Sequence, residues 1–229
     1  MLFSTPNQNS YQWLFLDLNS YFASVEQQDR PALRGKPIAI TPLQSDSTCA
    51  IAASYEAKKF GIKTGTKIYE ARRLCPDLIC VPARHQIYVD YHHKVLEEVV
   101  KHTPINKIWS IDELSSKLPP NKQTKEAASS VAARIKAGLA QNVGEFIKCS
   151  IGIAPNGFLA KVATDMMKPD GLVVLDQENL TSRLFDLQLT DLPGININMK
   201  LRLMKSGIYT VEQLWNLSPK HARAVWGSV

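Results

Sequence analysis

Long hydrophobic runs are missing from this chain of 229 residues. No apolar stretch approaches the ~20 residues that a helix needs to cross a bilayer, so no membrane partner is expected. Cysteine is scarce. The four lie at Cys49, Cys75, Cys80 and Cys149, and the one close pair, in "CPDLIC", has no second pair to complete a zinc site. They read as small buried residues of a protein in a reducing cytoplasm. The five histidines, His85, His92, His93, His102 and His221, show no ligand spacing with acids, and no Ser/His or Cys/His nucleophile constellation accompanies them. They read as structural or surface groups. Repeats and low-complexity segments are absent. The first dozen residues, "MLFSTPNQNSYQ", lack the charged and apolar regions of a secretory signal and read as a short polar tail.

What is present is enough to build a core. Hydrophobic residues make up 45% of the chain, and its length fits one large domain or two small ones. The net charge is +6, and it is unevenly spread. Residues 30–84 hold ten Lys and Arg against four acids, an excess equal to that of the whole chain. A basic patch of this kind suits a polyanion such as nucleic acid or a nucleoside triphosphate; a solvated lysine-rich face is the alternative.

"QWLFLDLN" reads as a strand and "SYFASVEQQ" as a helix, with Ser20 as its N-cap. "GKPIAITP" is strand-like. "CAIAASYEAKKFG" starts as a strand and becomes a helix that Gly61 ends. "TKIYEARRLCP" is a helix and "DLICVPA" a short strand. "HQIYVDYHHKVLEEVVKHT" has helical spacing, "INKIWSIDELSSKL" strand composition, and "TKEAASSVAARIKAGLAQNVG" the look of a long helix. "FIKCSIGIA" is a strand, and "NGFLAKVATDMMKPDG" a helix stopped by Pro169 and Gly171. From about residue 176 only short helices remain. There "LPGIN" reads as a helix-hairpin-helix turn, whose backbone N–H groups can meet a DNA phosphate. Asn196 stands where such turns usually carry a second glycine, and Asn tolerates a left-handed backbone; a plain helical hairpin is the alternative.

Two acidic features stand out. Asp17 ends the all-apolar run "WLFL", and a charge there is costly to bury unpaired. Asp112 and Glu113, in "WSIDELSS", are adjacent acids at the end of an apolar strand; on a regular strand they point to opposite faces, so both reach one metal only if the chain turns there. Carboxylates from two strand ends are one way to hold Mg2+, although a pair of surface acids has the same pattern.

The order of motifs adds to this. "LDLNSYFASVE", "RGKPIAI", "ASYEAKKFGIKTG", "SIDE", "SIGIAPNGFLAKVATDMMKPDGL" and "DLPGI" follow one another over residues 13–215, and this set resembles the Y-family (DinB/UmuC-type) translesion DNA polymerases. The resemblance implies an α/β (α+β) fold: a palm with a ferredoxin-like βαββαβ core (residues 1–20 and 85–175), a small fingers insertion (21–84) and a helical thumb with the helix-hairpin-helix (176–229). By the same resemblance a little-finger domain is expected after the thumb, and these residues are expected to lack it. That leaves open an engineered fragment or a short natural protein, with weak, salt-dependent DNA binding.

The same resemblance implies the site. Asp17 and Asp112 would bridge two Mg2+ ions, with Mn2+ as a substitute; Glu113 would bind the catalytic ion, and the Leu18 carbonyl would complete the other. Asn19 replaces an Asp found in many members that is not usually a direct ligand, so the metal site is not expected to suffer. Ser20, Tyr21 and Phe22 would cover the incoming nucleotide, with Phe22 as the steric gate that excludes a 2′-hydroxyl. Tyr55, Lys58 and Lys168 would bind the triphosphate. Ala52 falls at a position that is often Thr or Ser, so one phosphate contact is expected to be missing. Gly194 and Asn196 would meet DNA. The implied reaction is attack of a primer 3′-hydroxyl on a dNTP α-phosphate, with primer-template DNA and dNTPs as partners and a sliding clamp engaged through a missing C-terminal region. Small residues in "CAIAAS" would leave room for damaged bases. An inactive paralogue serving as a DNA-binding scaffold is the alternative, and the three retained acids speak against it. A palm-based cyclase would lack both the fingers insertion and the hairpin.

Overall fold

The computed structural model describes residues 11–226. Strand β1 (Trp13–Leu18) is followed after a short turn by helix α1 (Tyr21–Asp29). A small unit comes next: β2 (Ile38–Thr41), β3 (Ala52–Ala53), α2 (Tyr55–Lys58), α3 (Ile68–Leu74) and β4 (Ile79–Pro82). Then come α4 (His85–Val100), β5 (Lys107–Ile108), β6 (Glu113–Lys117), α5 (Lys125–Gly138), β7 (Cys149–Ala154), α6 (Gly157–Met166) and β8 (Leu172–Val174). Short helices α7 (Leu180–Phe185), α8 (Ile197–Lys205), α9 (Val211–Trp215) and α10 (Pro219–Trp226) end the described chain. No helix among the described residues is long and apolar enough to cross a membrane. All four cysteines are free thiols, Cys75 and Cys149 fully buried.

The main sheet has the order β5-β6-β1-β7-β8, with β6 and β7 antiparallel to β1 and β8 parallel to β7. Its first four strands, with α4 and α5 as connections, form the βαββαβ pattern expected from sequence. Strand β8 is additional: three residues are too few for a period to register. A second sheet, β3-β2-β4, belongs to the small unit.

Alternation along β1 explains its composition. Leu14, Leu16 and Leu18 join one apolar cluster with Val95 and Val99 of α4 and Val131 and Ile135 of α5. Phe15 points the other way, into a cluster with Leu159 and Ala163 of α6. A strand covered on both faces cannot show polar alternation, so it reads as an unbroken apolar run. Asp17 lies on the α6 side by the same alternation. Helix α6 sits very close to the sheet: a Cβ on Gly152 would stand 2.0 Å from the Ala160 carbonyl oxygen. The first cluster also takes in Tyr21 and Val25 of α1 and Ile38, Ile40, Ala52 and Val81 of the small unit, while Ala39, Ala53, Ile62 and Ile68 of that unit pack in a separate cluster of their own.

Several local expectations change. Ser20 occupies the N-cap position of α1, but its backbone is left-handed (φ 48°) and its side chain caps nothing. A capping serine needs an extended backbone to turn its oxygen back toward the first N–H groups. Asn196 is extended (φ −81°, ψ 178°), not left-handed; its side chain caps α8 by accepting the Met199 N–H at 2.9 Å, and the left-handed residue of that turn is Gly194 (φ +89°). Glu113 starts a strand and Asp112 lies in the turn just before it, so neither ends a strand: the chain turns at Trp109–Asp112 between β5 and β6. Helix α5 stops at Gly138 and passes through a wider turn, Leu139–Val143, in place of one long helix.

Candidate active site

Antiparallel register places Asp17 of β1 directly opposite Glu113 of β6. Directly paired residues project from the same face, so the two carboxylates approach one another. Asp17 is 7% exposed. Two lysines share the face. Lys161 of α6 reaches Asp17 at 3.0 Å and Glu113 at 2.8 Å, and Lys168, just beyond α6, reaches Asp17 at 2.7 Å. Asp165 bonds both lysines, at 3.2 and 2.8 Å.

The electrostatics follow from this packing. Burial alone would raise Asp17, but Lys168 and Lys161 outweigh it and hold the carboxyl below its ordinary range. Glu113 moves up, driven by burial and by the neighbouring Asp17 charge, with Lys161 opposing. The two acids are pushed apart in proton affinity, as interacting carboxylates are. Lys161 and Lys168 are both raised: burial disfavours their charge, and the acids around them more than compensate.

Asp112 stands differently. Its carbonyl accepts the Leu18 N–H at 2.8 Å, which fixes the turn, while its carboxylate accepts from the Ser110 hydroxyl at 2.5 Å. Its charge bears on Tyr21 and His92, on the α4 side of the sheet. Among the described residues no three His, Cys, Asp or Glu side chains converge to hold a metal ion. The donor chemistry nonetheless fits a hard divalent cation: Asp17 and Glu113 offer oxygen ligands on one face, their negative charge already draws two ammonium groups, and Asp112 is one residue away.

Of the nucleotide-site candidates, Ser20, Tyr55, Lys58 and Lys168 meet near the end of β1. Tyr55 and Lys58 share one face of α2, with Lys58 Nζ 4.4 Å over the Tyr55 ring. Burial raises the Tyr55 phenol, and Lys168 and the Ser20 hydroxyl offset part of that rise. Lys58 is lowered by burial and by the like charge of Lys168, with Asp17 opposing. Both residues of α2 therefore face Lys168 and the end of β1. Ala52 is buried in β3 and offers only a methyl group. Tyr21 donates to the Tyr88 carbonyl at 2.6 Å, and Phe22 stacks on Tyr88 with ring centroids 4.3 Å apart. Beneath them Glu26, fully buried, accepts from Tyr88, Arg84 and Arg30 and ties α1 to α4. Gly194 and Asn196 lie apart from this cluster, before α8.

Sequence reasoning missed Lys161 and Asp165. The signal was there: 161, 165 and 168 are spaced four and three apart, on one face of a helix and its continuation.

Residues 16–165 match the family model described as impB/mucB/samB. The chain belongs to this family. Over 203 residues, 88% of its length, it is 38% identical to the DNA polymerase IV of Moorella thermoacetica and covers 50% of that protein. It is 35% identical over 201 residues to the DNA polymerase IV of Stenotrophomonas maltophilia, of which it covers 56%. The chain thus spans about half the length of the curated relatives it matches. Among solved structures it resembles DinB from Sulfolobus solfataricus (TM-score 0.83, 29% identity, 94% of this chain and 63% of that one). An insertion ternary complex of Dbh DNA polymerase matches at the same TM-score, identity and coverage.

Proposed function

We propose that this chain is the catalytic part of a translesion, template-directed DNA polymerase, with the main sheet and α4–α6 as palm, residues 21–84 as fingers and residues 176–229 as thumb. One observation carries the reading. The Asp17–Glu113 pair at the ends of β1 and β6 faces Tyr55, Lys58 and Lys168, so an all-oxygen acid site and a cluster of cations share one surface. That arrangement suits a triphosphate with its metal ions. The family membership and the polymerase names of the relatives support it.

Asp17, Asp112, Glu113 and the Leu18 carbonyl hold Mg2+ in this reading, and the bound ions supply charge neutralisation and activation of the 3′-hydroxyl. The chain's own residues position the reactants. Lys58, Lys168 and Tyr55 bind the triphosphate, and release of Lys168 from Asp17 frees its charge for the phosphates. The primer 3′-oxygen bonds to the α-phosphorus and pyrophosphate leaves. Phe22, backed by Tyr88, lies under the sugar and leaves no space for a 2′-hydroxyl. Gly194 and Asn196, at the N-terminus of α8, offer backbone N–H groups to a DNA phosphate. A sliding clamp would be engaged from outside this chain.

Primer extension in Mg2+ on undamaged and abasic templates tests the reading. Extension that is lost in Asp112→Ala and Glu113→Ala is the expected result. Protein that binds primer-template DNA but extends neither template would leave only the scaffold alternative.

A further inference from the structure

The acid cluster already contains a cation supplied by the chain. Lys161 Nζ contacts Asp17, Glu113 and Asp165 at 3.0, 2.8 and 3.2 Å. An ammonium has three protons to donate, so three carboxylates satisfy it fully. The side chain is 19% exposed and lies 5.2 Å over the Phe15 ring. Lys168 is less enclosed, at 31%, and bonds Asp17 and Asp165 without reaching Glu113. Of the two lysines, Lys161 is the one that bridges the two strands. Its helix also lies close against the sheet: the neighbouring Ala160 carbonyl leaves no space for a Cβ on Gly152 of β7.

We infer that Lys161 is a positioning residue, the resident counter-ion of Asp17 and Glu113, which holds the two acids together and yields them when a divalent ion binds. This rests on the reading of the acids as a divalent-cation site. Two carboxylates placed directly across a strand pair repel each other, and a bridging ammonium removes that cost. A divalent ion seeks the same oxygens with twice the charge. Asp165, one helical turn from Lys161, is the partner that keeps the displaced ammonium satisfied. Lys161 and the metal ion therefore compete for Asp17 and Glu113, and Asp165 eases the exchange.

Mn2+ binding to the protein without DNA or nucleotide, followed by electron paramagnetic resonance, tests this. Lys161→Met is expected to tighten Mn2+ binding on the order of tenfold, since a competing charge is gone. Lys161→Arg, which keeps the charge, should restore the wild-type value, and Asp165→Asn should weaken binding by removing the fallback. Unchanged or weaker binding in Lys161→Met overturns the inference. Should that variant not fold, the wild type decides: acetic anhydride labelling of Lys161, read by mass spectrometry, should rise with Mg2+, and a flat yield overturns it. Primer extension keeps the two readings apart. Extension by the wild type with Mn2+ affinity unchanged in Lys161→Met removes the counter-ion role alone, and tighter binding in that variant with no extension by the wild type removes the polymerase reading alone.

Discussion

Phe22, the proposed steric gate, is braced by what lies behind it. Taken singly, an aromatic in "NSYFAS" is an ordinary core residue. Here it is only partly buried and stacks on Tyr88, which is itself fully buried and bonded to Glu26. A ring braced on one side cannot retreat from a ligand on the other. Phe22→Ala is therefore expected to raise ribonucleotide incorporation relative to dNTP in a single-nucleotide assay; unchanged selectivity would place the discrimination elsewhere. Glu98 offers a different residue-scale test. It is 2% exposed, and Lys101, then His102 and Asn142, hold its carboxyl at about 2 against burial, compared with an ordinary 4.5. A carboxyl depressed in the folded state contributes stability above its unfolded value and loses it as pH falls through the folded one. Acid unfolding should thus steepen between about pH 4.5 and 2, and Glu98→Gln should flatten that limb of the melting-temperature profile.

At the scale of elements, the site depends on how closely α6 packs on β7. Gly152→Ala would force a Cβ against the Ala160 carbonyl and displace the helix that carries Lys161, Asp165 and the approach to Lys168. Overpacking of this kind costs about 1–3 kcal/mol, and a backbone obstacle puts this site toward the upper end. A lowered urea midpoint, with a larger fall in primer extension than the lost stability explains, is the expected outcome. Most elements were legible because their periods or their punctuation are strong: the double-covered β1, the long α4 and the Ala-rich α5. The errors are local. Ser20 has the right chemistry for a cap and the wrong backbone, and Asn196 caps where left-handed tolerance was expected. Such outcomes depend on φ and ψ, which neighbours set and composition does not.

For the whole molecule, Asp17, Glu113, α2 and α6 come from four distant stretches of chain, and their meeting predicts a linked response. In the proposed reading Mg2+ together with dNTP binds the folded state only, so it should raise the melting temperature. Asp17→Asn should abolish that rise, whereas a rise that persists would move the ion away from Asp17.

By itself the sequence determined the alternation of strands and helices, the buried character of β1, the place of Asp17, Asp112 and Glu113 in ordered motifs, and the family. These follow from local patterns that survive as a linear string. Only the tertiary structure decided that Asp17 pairs across the sheet with Glu113, that Asp112 turns to Ser110, and that Lys161 stands between the first two. Those relations depend on strand register and on how near a helix can approach a sheet. Both are fixed by close packing among residues far apart in the chain, and no local pattern encodes them.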